Sequence, residues 1–187
     1  MSYFLRAIRE LSSVPTSDYE ERVEDICRDL DGETVEEGKW PAEFFPGVMN
    51  LLSDKSFLSV RTSWHLLLLI KNNWELLSSA DASAFKSILV AAFDNFGDWM
   101  GPFVASEMLG KFYPDEDTLT ILRKLNKAAN MPARELIPHA FETLARTTQN
   151  EAVSGFALRE LEMLLEDDSG AVRKEAAISL ARIANAS

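Results

Sequence analysis

Acidic side chains are concentrated in one short stretch of the chain, residues 18–37. Ten acids stand there against two arginines, a net charge of −8, whereas the rest of the chain carries only −3. Such a stretch can act on other molecules through its charge, because negative charge attracts basic proteins and repels nucleic-acid phosphates. Charge runs more often form a solvated helix face, and that plainer interpretation stays open. The candidate partner-binding acids are Glu20, Glu21, Glu24, Asp25, Asp29, Asp31, Glu33, Glu36 and Glu37.

A second group of candidates combines aromatic rings with one histidine. The segment from residue 93 to residue 103 is rich in aromatics, and its Trp99 and Phe103 are the predicted anchors for a partner, since aromatic residues are enriched at binding hot spots. The alternative is that this cluster joins two neighbouring repeats. His139 stands next to a proline in a predicted helix and is a candidate surface contact. The other tryptophans are expected in the core: Trp40, Trp64 and Trp74.

Residues spaced for catalysis or metal binding are absent from the sequence. The eight glycines are scattered and form no phosphate-binding loop. His65 and His139, the only histidines, have no partner at metal-ligand spacing. Cys27 lies on an apolar stripe and is expected to be a buried thiol, not a nucleophile. We therefore expect no enzyme activity, no metal and no cofactor.

Three basic residues recur near the ends of predicted helices: Lys111, Arg146 and Arg182. Side by side they would bind an acidic or phosphate-bearing ligand. The alternative, which we favour, is that each cation complements the dipole of its own helix, an effect worth about 0.3–1 kcal/mol.

The elements that must position these residues are predicted to be helices throughout. A helix over 17–30, with Ser17 as its N-cap, places the acids on its outer face, and a loop follows over 32–39. Residues 56–71 and 132–146 are each expected to form one continuous helix. Since no apolar run is long enough to cross a membrane and no secretory signal is found, we expect a cytoplasmic protein.

A short motif recurs three times along the second half of the chain. Ala105, Ala140 and Ala176 are each followed by leucine four residues later, then by a small residue and a basic one. The steps of 35 and 36 residues are typical of helical solenoids, in which each repeat buries its apolar face against its neighbours.

The stretch from Asp167 to Ala177 resembles the HEAT repeat family, in which an acidic turn is followed by Val-Arg and then by alanine. The resemblance is strong over 151–184, fair over 117–146 and weak before residue 96. It implies an all-α, right-handed HEAT-like solenoid of antiparallel helix pairs that mostly binds proteins. We expect one domain over 1–187, with 1–53 as a divergent acidic N-terminal cap and 54–187 as helical repeats.

These features together favour a non-catalytic protein-binding module. A small acidic domain of this kind is similar to the immunity proteins that neutralise basic nuclease toxins of bacteria, which implies a 1:1 complex with a basic protein and neither a membrane nor a nucleic acid as partner. One alternative is a HEAT-repeat adaptor or assembly factor of a larger complex. Another is a HEAT-like enzyme that repairs alkylated bases. The net charge of −11 opposes the latter, because DNA affinity comes mostly from phosphate neutralisation.

Overall fold

The all-α class is confirmed by a computed structural model, which describes residues 3–13 and 19–185 and the side chains of all of these except 35–37. Helices make up 77% of the structure, and no strand occurs in the described ranges. Ser17, the predicted N-cap, lies outside the described residues, as does Asp18 of the acidic stretch. The arrangement as a right-handed solenoid of antiparallel pairs stays a prediction.

The chain divides into two compact units, Met1–Gly101 and Pro102–Ser187. The N-terminal cap over 1–53 and the single domain over 1–187 stay predictions. The first unit contains α1 (Tyr3–Leu11), α2 (Tyr19–Glu37), α3 (Phe44–Ser53), α4 (Lys55–Leu58), α5 (His65–Asn72), a 3-10 helix (Trp74–Leu76) and α6 (Ser79–Ala92). Helix α7 (Met100–Phe112) begins at the boundary, and the second unit continues with α8 (Glu116–Ala128), α9 (Met131–Arg134), α10 (Ile137–Thr147), α11 (Glu151–Leu164) and α12 (Gly170–Ala184).

Helix α2 carries the acidic stretch and is longer than its sequence predicted. The loop expected over 32–39 is wrong, because the helix continues to residue 37. Thr34 is buried, bonds the carbonyl of Leu30 at 2.6 Å and accepts a hydrogen bond from Trp40 Nε1 at 2.9 Å, which holds the last turns together. The helix ends at Gly38, whose φ of 63° is a conformation that glycine adopts without steric cost.

The long helix predicted over 56–71 is also wrong, because the chain breaks between α4 and α5. The intervening residues are rich in serine and threonine, whose hydroxyls compete with the helical hydrogen-bond pattern. Ser63 donates to the carbonyl of Leu58 at 3.0 Å, and Thr62 donates to the carbonyl of Glu20 at 2.7 Å. The break therefore becomes a tight turn that is tied to the start of α2.

The second unit buries the recurring alanines of the sequence motif. Ala105, Ala140 and Ala176 are all fully buried, on α7, α10 and α12. Helix α10 packs against α8, α11 and α12, so small side chains occupy positions where helices meet. The predicted helix over 132–146 is split into α9 and α10, because Pro138 has no N–H with which to continue a helix through the residues before it.

We predict that Ala176→Leu overpacks α12 against its neighbours and lowers the free energy of unfolding by about 1–3 kcal/mol. The matched control is Ala177→Leu, since Ala177 is exposed on the same helix; it should change stability by less than about 0.5 kcal/mol. Urea denaturation of the three proteins measures the difference. Equal stability of the two variants would contradict the assigned packing register.

Candidate functional site

The first unit contains a large open cavity of about 790 Å³. Three elements supply its walls: the first turns of α2, the turn between α4 and α5, and the segment that leads into α7. We call it the acidic cleft. Its lining residues are Glu20, Glu21, Glu24, Arg61, Thr62, Trp64, His65, Asp98, Trp99 and Met100.

Hydrogen bonds to backbone carbonyls hold the three walls of the acidic cleft in place. The N–H of Gly97 donates to the carbonyl of Leu58 at 2.9 Å, which attaches the segment before α7 to the end of α4. A Cβ at Gly97 would lie 2.0 Å from the carbonyl oxygen of Ser59, so only glycine permits this approach. The bond from Thr62 to the carbonyl of Glu20 attaches the turn to α2. Residues 42 positions apart in the sequence thereby share one surface.

Negative charge predominates in the acidic cleft. Four carboxylates line it, and Arg61 is the single lysine or arginine among its lining residues. The guanidinium of Arg61 lies 3.6 Å from Asp98, which also accepts a hydrogen bond from the N–H of Met100 at 3.0 Å. The charge of Asp98 is thus compensated locally, and Glu20, Glu21 and Glu24 carry the excess charge. The cleft is therefore suited to cations.

Aromatic rings form the other part of the cleft surface. Trp99 is 58% exposed there. Trp64 is half-buried and stacks on His65, with ring centroids 3.8 Å apart, so the prediction that Trp64 belongs to the core is wrong. Trp40 and Trp74 are half-buried as well, but both pack on core phenylalanines: Trp40 stacks on Phe45 and Trp74 packs against Phe85.

The structure brings Glu20, Glu21, Glu24 and Trp99, all predicted from sequence, to one cleft. The cleft residues that sequence reasoning missed are Arg61, Thr62, Trp64 and His65, whereas Asp98 and Met100 lie in the candidate segment 93–103 but were not singled out. The run of serine and threonine between 59 and 63 was the available signal, because it marks a break in a helix.

The remaining acids of the predicted stretch lie along α2 outside the cleft. Asp25 pairs with Arg28, Asp31 accepts from the amide of Asn73 at 2.7 Å, and Asp29 accepts from the hydroxyl of Tyr3 at 3.2 Å. Burial, followed by the charges of Asp29 and Glu33, raises the pKa of Tyr3 to about 12. The side chains of Glu36 and Glu37 lie outside the described residues.

Phe103 and His139, the other predicted contacts, lie in the second unit and stack on each other, with centroids 4.5 Å apart. Nδ1 of His139 is 3.5 Å from Oε2 of Glu142, and within the described part of the chain neither ring nitrogen has a hydrogen-bond partner. Burial lowers the pKa of His139, outweighing the nearby carboxylates of Glu142 and Glu107, which raise it. Both rings are half-buried and contribute to packing of α7 on α10.

Two of the three basic residues predicted to lie side by side in the second unit pair with a buried acid. Arg146 and Arg182 lie 3.2 Å and 3.4 Å from the two carboxylate oxygens of Glu142, whose side chain is 3% exposed. Lys111 lies instead over the ring of Phe112, 5.2 Å from its centroid. The two arginines thus neutralise an internal charge, which leaves less positive potential for a phosphate ligand.

The remaining predictions concern the burial of Cys27, metal binding and membrane-spanning helices. The prediction that Cys27 is buried is confirmed, and burial raises the pKa of its thiol to about 12. Across residues 3–13 and 19–185, no three histidine, cysteine or acidic side chains are placed to hold a metal ion. None of the helices in these ranges is both long and apolar enough to span a membrane.

Comparison of the chain with known protein families, with curated proteins and with solved structures found no match. The likeness to HEAT repeats therefore rests on the residues of this chain.

We predict that Gly97→Ala destabilises the first unit by about 1–3 kcal/mol, because the new methyl group overlaps the carbonyl of Ser59. The matched control is Gly155→Ala in α11, where a Cβ meets nothing within 4 Å. That variant should gain about 0.5–1 kcal/mol, since alanine favours helices. Urea denaturation followed by far-UV circular dichroism measures both. A neutral Gly97→Ala would mean that the cleft walls do not depend on this contact.

We predict that His139 makes the protein less stable as the pH falls. The unfolded chain binds this proton near the ordinary histidine value of 6.5, whereas the folded protein binds it only at lower pH. Unfolding therefore takes up a proton in that window, and the stabilisation present above pH 6.5 is lost as the pH falls through it. The free energy of unfolding of His139→Gln should fall less steeply over the same range. An unchanged slope would show that His139 does not contribute.

Proposed function

We propose that the protein is a non-catalytic binding module that takes up a basic protein at the acidic cleft. The observation that carries the proposal is the convergence of Glu20, Glu21 and Glu24 with the exposed ring of Trp99 in one cavity. A charge run on a solvated helix face would need no cavity and no exposed aromatic ring beside it. The cleft combines both features of a protein-binding surface.

The carboxylates and the aromatic ring contribute to binding in different ways. Carboxylates on an exposed surface raise the rate of association with a basic protein, because their field acts beyond contact distance. Aromatic rings act at contact, where burying them lengthens the residence time of the complex. We assign the first role to the three glutamates and the second to Trp99. Phe103 and His139 take no part in this cleft and are not needed for the proposal.

As the partner we propose a nuclease-type toxin, which the protein neutralises in a 1:1 complex in the cytoplasm. Nuclease surfaces are basic because they bind phosphates, so an acidic inhibitor is attracted to the surface that it must cover. The pairing of Arg146 and Arg182 with Glu142 supports this proposal over base repair, since those cations are engaged within the protein. The single, buried Cys27 is compatible with a reducing compartment.

We retain the HEAT-like solenoid as the architecture within this proposal. Its support is the burial of three alanines that recur at steps of 35 and 36 residues. A further contact between α8 and α11 joins residues that stand 37 positions apart, since Arg123 Nε donates to Glu160 at 2.7 Å.

We predict that the triple variant E20Q/E21Q/E24Q associates about tenfold more slowly with the basic partner in low salt, because the attraction is weakened. The partner is captured from the lysate of the source organism with the immobilised chain, eluted with a salt gradient, identified by mass and purified. Stopped-flow association is then measured at several salt concentrations. The salt dependence of the variant should be shallower than that of the wild type.

The matched control is E151Q/E162Q/E166Q, which removes the same charge from exposed positions of the second unit. It should leave the association rate within about twofold. Equal slowing by both triple variants would contradict the cleft and indicate the net charge alone. Capture of a neutral assembly, with salt-insensitive binding, would indicate an adaptor. Elution of nucleic acid would indicate the repair enzyme.

A further inference from the structure

His65 lines the acidic cleft, and the hydrogen bond of one ring nitrogen sets the role of the other. Its Nδ1 lies 2.9 Å from the carbonyl oxygen of Thr62. A carbonyl oxygen only accepts, so Nδ1 must carry the hydrogen of this bond. In the neutral ring, Nε2 is then an acceptor. The turn between α4 and α5 thereby sets the tautomer of a residue that lines the cleft.

Nε2 of His65 faces a second acceptor. Oε1 of Glu24 lies 4.0 Å away, which is too far for a direct hydrogen bond. Two acceptors at this separation leave room for a donor nitrogen between them, at about 2.9 Å from each. Both residues line the acidic cleft, and Glu24 is exposed. A ligand that brings N–H groups to this pair would satisfy both atoms at once.

The surroundings of this pair favour a planar cation. Trp64 stacks against His65, and Trp99 is exposed in the same cleft. Guanidinium groups stack on aromatic rings and carry five N–H donors in a fixed fork, whereas an ammonium is a compact and strongly hydrated point charge. Glu20 and Glu21 add negative charge at the rim. Charge, the number of N–H donors and ring stacking therefore all favour an arginine side chain.

We infer that the acidic cleft receives an arginine side chain of the basic partner, with its guanidinium donating to Oε1 of Glu24 and Nε2 of His65 beside the tryptophans. The inference rests on the proposed function and adds to it the residue type that is recognised. Glu24 supplies charge and one acceptor, and His65 supplies the second acceptor through Nε2. The tryptophans supply the stacking surface.

The test uses the full chain and a blocked tetra-arginine peptide, with binding measured by calorimetry in low salt. Tetra-citrulline, which keeps the shape without the charge, and tetra-lysine, which keeps the charge without the fork, are the matched peptides. We predict that tetra-arginine binds at least about tenfold more tightly than either. Glu24→Gln and His65→Phe should each weaken tetra-arginine binding about tenfold.

Two control variants separate this site from general effects. Glu33→Gln removes the same charge from α2 at a position outside the cleft lining and should change affinity by less than about twofold. His65→Gln keeps an acceptor in place of the ring nitrogen and should retain more affinity than His65→Phe. Thermal unfolding of each variant verifies that the comparison is made between folded proteins.

Several results would overturn the inference. Equal weakening by Glu24→Gln and Glu33→Gln would assign binding to the field of α2, and equal binding of tetra-lysine would remove the preference for arginine; both leave the proposed function intact. Absence of peptide binding, with a basic partner still captured and slowed by E20Q/E21Q/E24Q, would overturn the inference alone. Absence of both would overturn the inference and the proposed function together.

Discussion

The acidic cleft depends on one close backbone approach, the contact of Gly97 with the end of α4. The N–H of Gly97 reaches the carbonyl of Leu58 at 2.9 Å, and no side chain has room there. This contact brings Asp98 and Trp99 beside the turn that carries Arg61. The turn is attached to α2 by the hydroxyl of Thr62, which donates to the carbonyl of Glu20, so hydrogen bonds to backbone carbonyls join the walls of the cleft. Its acidic side chains are left facing the cavity.

The charges of α2 are divided along the length of the helix. In its first two turns the glutamates line the cleft, whereas further along Asp25, Asp29 and Asp31 are engaged by neighbouring side chains. Acids in the first turn also interact favourably with the helix dipole, which offsets part of their mutual repulsion. One helix thus places negative charge where the helix dipole stabilises it and where it lines a cavity. The density of acids in the sequence does not reveal this division.

In the second unit, by contrast, charged side chains pair with one another within the packed structure. Glu142 is buried with Arg146 and Arg182 close to its two oxygens, and His139 lies beside it. A buried carboxylate would be costly without such partners, so the arginines stabilise the position of the acid. The same pairing reduces the positive potential of the two arginines. Charge in this unit therefore contributes to its structure, whereas the glutamates in the cleft of the first unit are exposed.

The sequence by itself determined the all-α class and the burial of Ala105, Ala140 and Ala176. These follow from local periodicity and side-chain size, which act within a few residues. It also identified the cleft acids and Trp99, because charge density and aromatic content are local properties. Only the tertiary structure decided that α2 extends past Thr34, that the chain breaks before α5, and that His65 and Asp98 join the cleft. Those outcomes depend on hydrogen bonds between distant segments, such as Thr62 to Glu20, which no local pattern specifies.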